Sequence, residues 1–525
     1  AREFGEFPIL REVVFYQPPR IEALVNVNLR KPDPIQVIGK MRAERTLFRS
    51  VLFEEVTADF GWHNPRKWMI TNGIVRHRTG RAELAARKMP DDFRFSLDCA
   101  MAGEAVVPIM GGHATRFLAD WEFLDTPRLT LRVHGPNLNL PEMEYTGSLE
   151  VGRARFRGKW IRNAGTRLRG NHEFIEYRDF YLQRAEGEAR GTVRYPLDNS
   201  RRVSFENVTS TIDVRDGAAW FGNTIERAVK PYRFVKAPRL HIDGVADFST
   251  HPSTDLLIRL EAPEGLSWRF FNKPLHFTEV SSLIFLKDGQ LGIKDATAAF
   301  HGGRADLNLL VKLMDSHRRG YAGKLELTGT DLPPLSRLVW PDSPAPECKL
   351  DATVSFHNAG TDPRRFQATG AVKLSEGNLL ELPLLGQISR PLKNFAGRFL
   401  EDDQEEASLV CEFLLKDQLL STEELRCEVG DLTLVGSGTY SLTRDDLSMV
   451  LRARSHTLAE GLLSPFSNLL SFRGTGTLRE PEWKLQRFIP PPQERIRPRP
   501  EVYPIPPRRP TTRQPRNLPR AISRP

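Results

Sequence analysis

Asp92-Phe93-Arg94-Phe95-Ser96-Leu97-Asp98-Cys99 carries apolar side chains at every second position and polar ones between them. A period of two puts Phe93, Phe95, Leu97 and Cys99 on one face of an extended chain and Arg94, Ser96 and Asp98 on the other, the pattern of a half-buried β-strand. The same alternation recurs in Val25-Val27-Leu29, Leu129-Leu131-Val133, Leu307-Leu309-Val311, Leu325-Leu327, Val372-Leu374 and Leu432-Leu434. Turn signals follow at short intervals at Asn72-Gly73, Thr79-Gly80, Asp216-Gly217, Asp288-Gly289, Gly302-Gly303 and Glu376-Gly377. Such short connections imply antiparallel meanders, because parallel strands need a crossover of a dozen or more residues.

Self-similarity at a fixed offset organises these strands. Pro18-Pro19-Arg20-Ile21 returns as Ala237-Pro238-Arg239-Leu240, Phe53-Glu54-Glu55-Val56 as Phe277-Thr278-Glu279-Val280, and Gly80-Arg81-Ala82-Glu83-Leu84 as Gly303-Arg304-Ala305-Asp306-Leu307, all at offsets near 220. A weaker copy matches Phe174 to Tyr181 with the Phe-x-x-Val strand and Glu186 to Val193 with the Gly-x-Ala strand, and another copy falls at Thr422 to Leu442. Each unit reads as a proline-entered strand, several meander strands and a short helix. Helical patterns fall at Gly103 to Leu118, Ala218 to Val229, Leu332 to Val339, Leu382 to Phe399 and Leu458 to Leu470. In the fourth, Leu384, Leu385, Ile388, Leu392 and Phe395 share a face, as in a helix plugging the end or side of a sheet or, alternatively, docking on a membrane surface. The expected fold is therefore mostly β: an elongated, curled antiparallel groove of repeated meander units with a few short helices. Its expected divisions are 1–230, 231–345, 346–488 and a tail at 489–525.

At 525 residues the chain is long enough for several such units. Its net charge is +9, but nine Arg against two Glu lie between Pro490 and Pro525, which leaves +2 for the body. So balanced a body lacks the broad basic face that tracks nucleic acid. The tail alternates proline with arginine, has too little apolar content for a core, and is expected to be disordered or polyproline II. Four cysteines form no CxxC spacing, and Cys411 and Cys427, flanking a hairpin at Lys416 to Leu419, are read as two buried free thiols, with a bridge between them the alternative. No run of 18 apolar residues occurs, and Ala1 to Pro8 has no signal-peptide pattern, so any membrane anchor is expected outside this sequence.

A search for catalytic constellations finds little to build on. The twelve His include no HxxxH or HExxH pair, and there is no GxSxG elbow or phosphate loop. His241-x-Asp243 places two polar groups on one strand face, a pairing that chance supplies in a chain this long. The run Glu401-Asp402-Asp403-Gln404-Glu405-Glu406 reads as a solvated loop rather than a calcium site. No cofactor, metal or enzymatic activity is expected.

Near the C-terminus, Leu432-Thr433-Leu434-Val435-Gly436-Ser437-Gly438-Thr439-Tyr440-Ser441-Leu442 is followed by Leu447-Ser448-Met449-Val450-Leu451. Phe472-Arg473-Gly474-Thr475-Gly476-Thr477-Leu478-Arg479-Glu480-Pro481-Glu482-Trp483 closes the series. This order resembles the closing pattern of the AsmA-like family of bacterial envelope proteins. Leu382-Pro383-Leu384-Leu385-Gly386 and the spacing of Trp68, Ile70, Gly73, Gly80 and Ala82 are similar to it as well, so the likeness spans residues 10 to 488. The family's inner-membrane helix is missing here, and the Pro/Arg tail is not part of its pattern. The resemblance implies a periplasmic β-groove, related in design to the TamB and YhdP types and to eukaryotic chorein-type bridge proteins, that carries phospholipid between inner and outer membranes.

A physical argument runs beside the resemblance. Many strands with one apolar face and few helices to cover it leave a trough in which acyl chains gain ~0.8 kcal/mol per buried methylene. Twenty-five to thirty strands at ~4.8 Å each would extend roughly 120 to 140 Å. The alternating residues named above, from Val25 to Leu434, are the candidate lining. An envelope-assembly scaffold, with sheet edges and tail recruiting proteins or wall polymer, is the alternative. A secreted enzyme acting on polysaccharide comes third.

Overall fold

The computed structural model describes residues 12–486 apart from 29, 31–34, 65, 107, 109–119, 138–141, 198–201, 219, 221–225, 227–228, 248–253, 271–272, 313–319, 342–345, 361, 386–387, 389, 393–406, 431 and 456–469. Leu29, Phe395, the acidic run from Glu401 and the Pro/Arg tail lie outside the described residues. Strand alternation folds as expected: one antiparallel sheet of 29 strands is joined by meander connections, is not closed, and is accompanied by a small sheet of 3 strands.

The long strands fall into four units of six. Unit one comprises β1 (Val13–Phe15), β2 (Arg20–Val27), β3 (Ile35–Phe48), β4 (Val51–Asn64), β5 (Lys67–His77), β6 (Gly80–Met89) and β7 (Asp92–Ala100), then helix α1 (Gly103–Val106). Unit two runs β8 (Trp121–Phe123), β9 (Arg128–Gly135), β10 (Glu144–Val151), β11 (Ala154–Phe156), β12 (Lys159–Ile161), β13 (Asn163–Gly170), β14 (Phe174–Gln183), β15 (Glu188–Pro196), β16 (Arg202–Ser210) and helix α2 (Val214–Ala218). Unit three runs β17 (Tyr232–Phe234), β18 (Arg239–Asp247), β19 (Asp255–Ala262), β20 (Leu266–Phe270), β21 (Lys273–Lys287), β22 (Gln290–Phe300), β23 (Gly303–Lys312), β24 (Gly320–Asp331) and helix α3 (Leu332–Val339). Unit four has β25 (Lys349–Ala359), β26 (Phe366–Ser375), β27 (Ser408–Lys416), β28 (Leu419–Val429), β29 (Leu432–Ser441) and β30 (Asp446–Ser455), with β31 (Leu470–Gly476) and β32 (Pro481–Gln486) closing the order. The short strands β1, β8, β11, β12, β17 and β20 stand beside this ladder of long ones.

The repeat is thus half as long as its most visible offset. Pro19-Arg20, Pro127-Arg128 and Pro238-Arg239 enter β2, β9 and β18 at spacings of 108 and 111 residues, so an offset near 220 compares unit one with unit three. The weaker copy is also re-registered. Phe174 to Tyr181 lies on β14, the fourth strand of its unit, whereas Phe53 and Phe277 lie on third strands, β4 and β21. Adjoining units share the sheet without a break, through β7 with β9, β16 with β18 and β24 with β25.

Every fourth strand carries extra residue length against both neighbours, at Asn72 in β5, Asp179 in β14, Asp295 in β22 and Glu423-Glu424 in β28. Asn72, Asp179 and Asp295 have φ of 51°, 47° and 50°, a left-handed conformation that Asn and Asp tolerate better than other side-chain-bearing residues. Asn72-Gly73 is accordingly a bulge inside a strand and not a turn. A bulge bends its strand and increases the local twist, so the same defect at the same place in each unit curls the sheet repeatedly. The neighbouring strands hold some of these bulges: Asn72 donates to the Asp59 carboxylate at 2.8 Å, and the Asp295 N–H donates to Asn308 Oδ1 at 3.0 Å.

Asp216-Gly217 differs from its turn reading too, because it lies within α2. Asp213 caps that helix, accepting from the Arg215 N–H at 2.8 Å through its side chain and from the Gly217 N–H at 2.9 Å through its carbonyl. Asp216 then ties the helix to the sheet, 2.6 Å from the buried Arg184 and 2.7 Å from Lys159. The expected helix at Leu382 begins instead as two 3₁₀ turns, Leu379–Glu381 and Pro383–Leu385. Pro383 has no N–H to give to an α-helical ladder, which accounts for the tighter start. Leu470 belongs to β31, and the rest of the segment expected to be helical from Leu458 is outside the described residues.

Two cores follow from this layout. In unit four, Leu379, Leu380, Leu385, Ile388 and Leu392 fill the inner face of the sheet against Leu350, Leu374, Leu409, Leu425, Leu432, Leu434, Leu451 and Phe472. One cluster can reach strands from β25 to β31 only if the sheet wraps around it. Two indoles fasten the wrap: Trp340 Nε1 donates to the Leu478 carbonyl at 3.0 Å and Trp483 Nε1 to the Leu384 carbonyl at 2.9 Å. In unit one the core is smaller, with Ala105 of α1 packed with Val51, Phe53, Ala82, Cys99 and Met101.

All four cysteines are free, and the pairing sets Cys411 opposite Leu425 and Cys427 opposite Leu409, so the two thiols do not face each other. Burial pushes Cys427 up to about 12 and Cys348 up to about 11, and it raises Cys99. Burial also pushes Tyr145 up to about 12. These acids ionise more readily in the unfolded chain, so their contribution to stability is complete below the unfolded thiol and phenol values and is lost as pH rises through the folded ones. Denaturant midpoints are therefore expected to hold steady from pH 7 to about 9 and fall progressively from there to about pH 12. A midpoint unchanged at pH 12 would contradict the burial of these groups.

Candidate functional site

The inner face of units one to three is a continuous apolar surface. Following directly opposed residues from strand to strand gives Leu97, Leu131, Gly147, Leu168, Tyr177, Val193, Phe205, Gly244, Leu256, Leu286, Leu291, Val311 and Tyr321. No charged side chain interrupts this row, which crosses the sheet at right angles to its strands. A second row runs beside it through Ile258, Ile284, Ile293, Leu309, Gly323 and Phe356. From β7 to β15 the other face is polar at the matching positions, as in Ser96, Arg132, Thr146, Arg169, Glu176 and Arg194, whereas in unit three it carries the apolar row Leu257, Phe285, Gly292, Leu310 and Ala322.

Most residues of the first row are half-buried. This is what a one-sided sheet gives when its apolar face is curled but not covered: neighbouring side chains shield one another, and the upper surface stays open. Among the described residues, the helices α1 and α2 follow the sixth strands of their units and sit at one rim of this face. Aromatic side chains occur toward the other rim, including Trp68 with Phe93 (ring centroids 6.3 Å apart) and Tyr321 with Phe356 and Phe366 (6.3 Å each). Tyr145 donates its hydroxyl to the Asn171 carbonyl at 2.8 Å, so its polar end is satisfied at that rim while its ring joins the apolar face. Gly323 lets the Phe356 ring lie flat across it, since a Cβ there would come within 2.6 Å of the ring.

The register brings the described lining candidates onto one face. Phe95 stands opposite Val133 and Leu97 opposite Leu131, with Phe93 opposite Gly135 and Leu129 opposite Cys99. Leu307 pairs with Leu325, Leu309 with Gly323, Val311 with Tyr321, and Leu327 with Ala305. Val25 and Val27 pair with Val37 and Ile35 at the open end of the sheet. The trough does not continue to the other end, however. Leu374, Leu432 and Leu434 are buried beneath Leu379–Leu392, and Val372 and Leu327 pack against that same cluster, so these five belong to a filled interior.

The lining also includes residues that were not among the sequence-based candidates: Leu168, Val193, Leu256, Leu286 and Leu291, which keep a period of two in their strands, and Tyr177 and Phe205, which lie on bulged strands. In β14 and β16 the bulges at Asp179 and Asn207 shift the phase of alternation in mid-strand. For Tyr177 and Phe205 the signal that could have found them was the left-handed preference of Asp179 and Asn207 inside an otherwise apolar-alternating run.

Polar clusters elsewhere have structural work. His241 Nε2 lies 2.8 Å from Asp243 Oδ2 on the polar face, and Asp243 also accepts the N–H of the bulged Asn207 at 2.7 Å. Lys88, on the apolar face, is buried and donates to the carbonyls of Pro90 and Pro136 at 3.0 and 3.2 Å. Among the described residues no group of three or more His, Cys, Asp or Glu is placed to hold a metal ion, and no helix is long and apolar enough to cross a membrane. No protein-family model, curated protein or solved structure matches this chain.

Proposed function

We propose that this chain is a non-enzymatic lipid-binding and lipid-transfer protein, whose trough in units one to three shelters phospholipid acyl chains. The uninterrupted apolar row from Leu97 to Tyr321 is the observation that supports this reading. Such a surface excludes charged substrates along its length, offers no constellation for bond-making chemistry, and matches a flexible hydrocarbon chain that gains ~0.8 kcal/mol for each methylene it buries. Headgroups would remain at the open side, in water. The C-terminal pattern resembling the AsmA-like family supports extending this reading to the periplasm of a Gram-negative-type bacterium, where the chain would pass phospholipid between inner and outer membranes.

Native mass spectrometry of the chain purified without detergent tests the reading. The expected spectrum shows adducts with phospholipid masses, and the delipidated chain is expected to accelerate transfer of a fluorescent phospholipid between vesicles. A bare-chain mass in every charge state, with no acceleration of transfer, would refute it.

A further inference from the structure

Three phenols meet on the apolar face of unit two. Tyr145 stands opposite Gly170, Gly170 opposite Ile175 and Ile175 opposite Tyr195, so one row of directly opposed residues carries two tyrosines. Tyr177 lies two residues along β14 from Ile175 on the same face, opposite Val193 and diagonal to Tyr195, within reach of a side chain of this length. Burial and then the Tyr177 phenol push Tyr145 up to about 12, and burial and then the Tyr195 phenol raise Tyr177. The rings are thus electrostatic neighbours, and both of these hydroxyls keep their protons at neutral pH.

Their hydroxyls are employed differently. Tyr145 directs its own at the carbonyls of Asn171 and Phe174, 2.8 and 3.1 Å away. Among the described residues, nothing pairs with the hydroxyl of Tyr177 or of Tyr195. The repeat does not require a phenol at this place, since the fourth strand of unit three carries Leu291 at the same point of the apolar row.

A phenol in the wall of an apolar trough is costly once hydrocarbon covers it, because the hydroxyl loses water and finds no acceptor among methylenes. A ligand that brings an acceptor to this place removes the cost. The surrounding inner-face positions Gly170, Ile175, Val193 and Phe205 are uncharged. A carboxylate or phosphate drawn in between the two phenols would therefore be dehydrated with no counter-charge. A neutral acceptor joined directly to hydrocarbon fits instead, and the carbonyl of an acyl ester is one. Its place at the boundary of chain and headgroup matches the pair, Tyr177 half-buried and Tyr195 42% exposed nearer the rim.

Resting on the lipid reading, we propose that Tyr177 and Tyr195 donate hydrogen bonds to the ester carbonyls of a diacyl glycerolipid. Unit two then holds the glycerol end, the acyl chains leave along the apolar row, and the trough selects ester-linked over ether-linked lipid.

The test offers the delipidated full chain vesicles that contain equal amounts of dipalmitoyl phosphatidylcholine and its dihexadecyl ether analogue. Native mass spectrometry separates the two bound lipids by mass. The parent protein is expected to favour the ester lipid by about tenfold, the scale of one or two net hydrogen bonds. Tyr177→Phe with Tyr195→Phe keeps both rings and is expected to bring the ratio to parity, with Tyr195→Phe alone in between. Parity in the parent, or an undiminished ratio in the double variant, would overturn the assignment and leave the lipid reading standing. Uptake of neither lipid by the parent would refute the lipid reading and this assignment with it.

Discussion

Leu131→Glu is expected to strip the protein of most bound phospholipid while leaving it folded. Leu131 stands in the middle of the apolar row, between Leu97 and Gly147, and it is half-buried under no described element. A carboxylate can reach water from such a position, so the empty protein bears little cost. With lipid bound, the acyl chain would lose contact with about two methylenes' worth of apolar surface, roughly 1.5 kcal/mol. It would also dehydrate the carboxylate, a cost of several kcal/mol. At ~1.4 kcal/mol for each factor of ten, lipid content by quantitative mass spectrometry should drop at least tenfold, with the thermal midpoint little changed. Leu327→Glu provides the contrast. Leu327 packs against the filled core of unit four, so a carboxylate there should lower stability more than lipid content. Equal lipid content in Leu131→Glu and the parent protein would defeat the trough as the lipid site.

That contrast marks the limit of what the sequence discloses. Leu131 and Leu434 sit in the same alternating pattern with similar neighbours, yet one lies in an open trough and the other in a packed interior. The difference is made by Leu379–Leu392, far away in sequence, folding onto the sheet in one unit. Local periodicity says which face is apolar and is silent about what covers it. The strands and their antiparallel order were legible because a period of two and short turns are local properties. Bulges were not, since Asn72-Gly73 has the same residue preferences in a hairpin turn and in a strand with left-handed φ. The repeat was legible only at twice its length. Unit two carries the extra β11–β12 hairpin, which displaces its later strands, while units one and three keep nearly constant offsets. The apolar side of the plug was readable in Leu385, Ile388 and Leu392, although Pro383 changed the form of its first turns.

The plug supplies the second large effect. Leu392 and Leu379 are fully buried, and Leu380 is 1% exposed, within a cluster drawn from nearly every strand of unit four. Truncating Leu392 to alanine removes three buried carbons and leaves a cavity that the surrounding strands, held in ladder register, can only partly close. The cost of such a change is about 2 to 5 kcal/mol. In an array whose units mainly contact their neighbours, that loss should fall on unit four and spread weakly through the shared β24–β25 pairing. Leu392→Ala is thus expected to split thermal unfolding into two transitions and to speed amide exchange in β27 to β30 by ten-fold or more, with exchange in β9 to β16 unaltered. Phospholipid content should stay at the parent level, because the residues under the plug are not open to lipid in the parent fold. Higher lipid content in Leu392→Ala would instead show that Leu379–Leu392 occupies space an acyl chain can take, and the trough would then extend into unit four whenever that segment lifts.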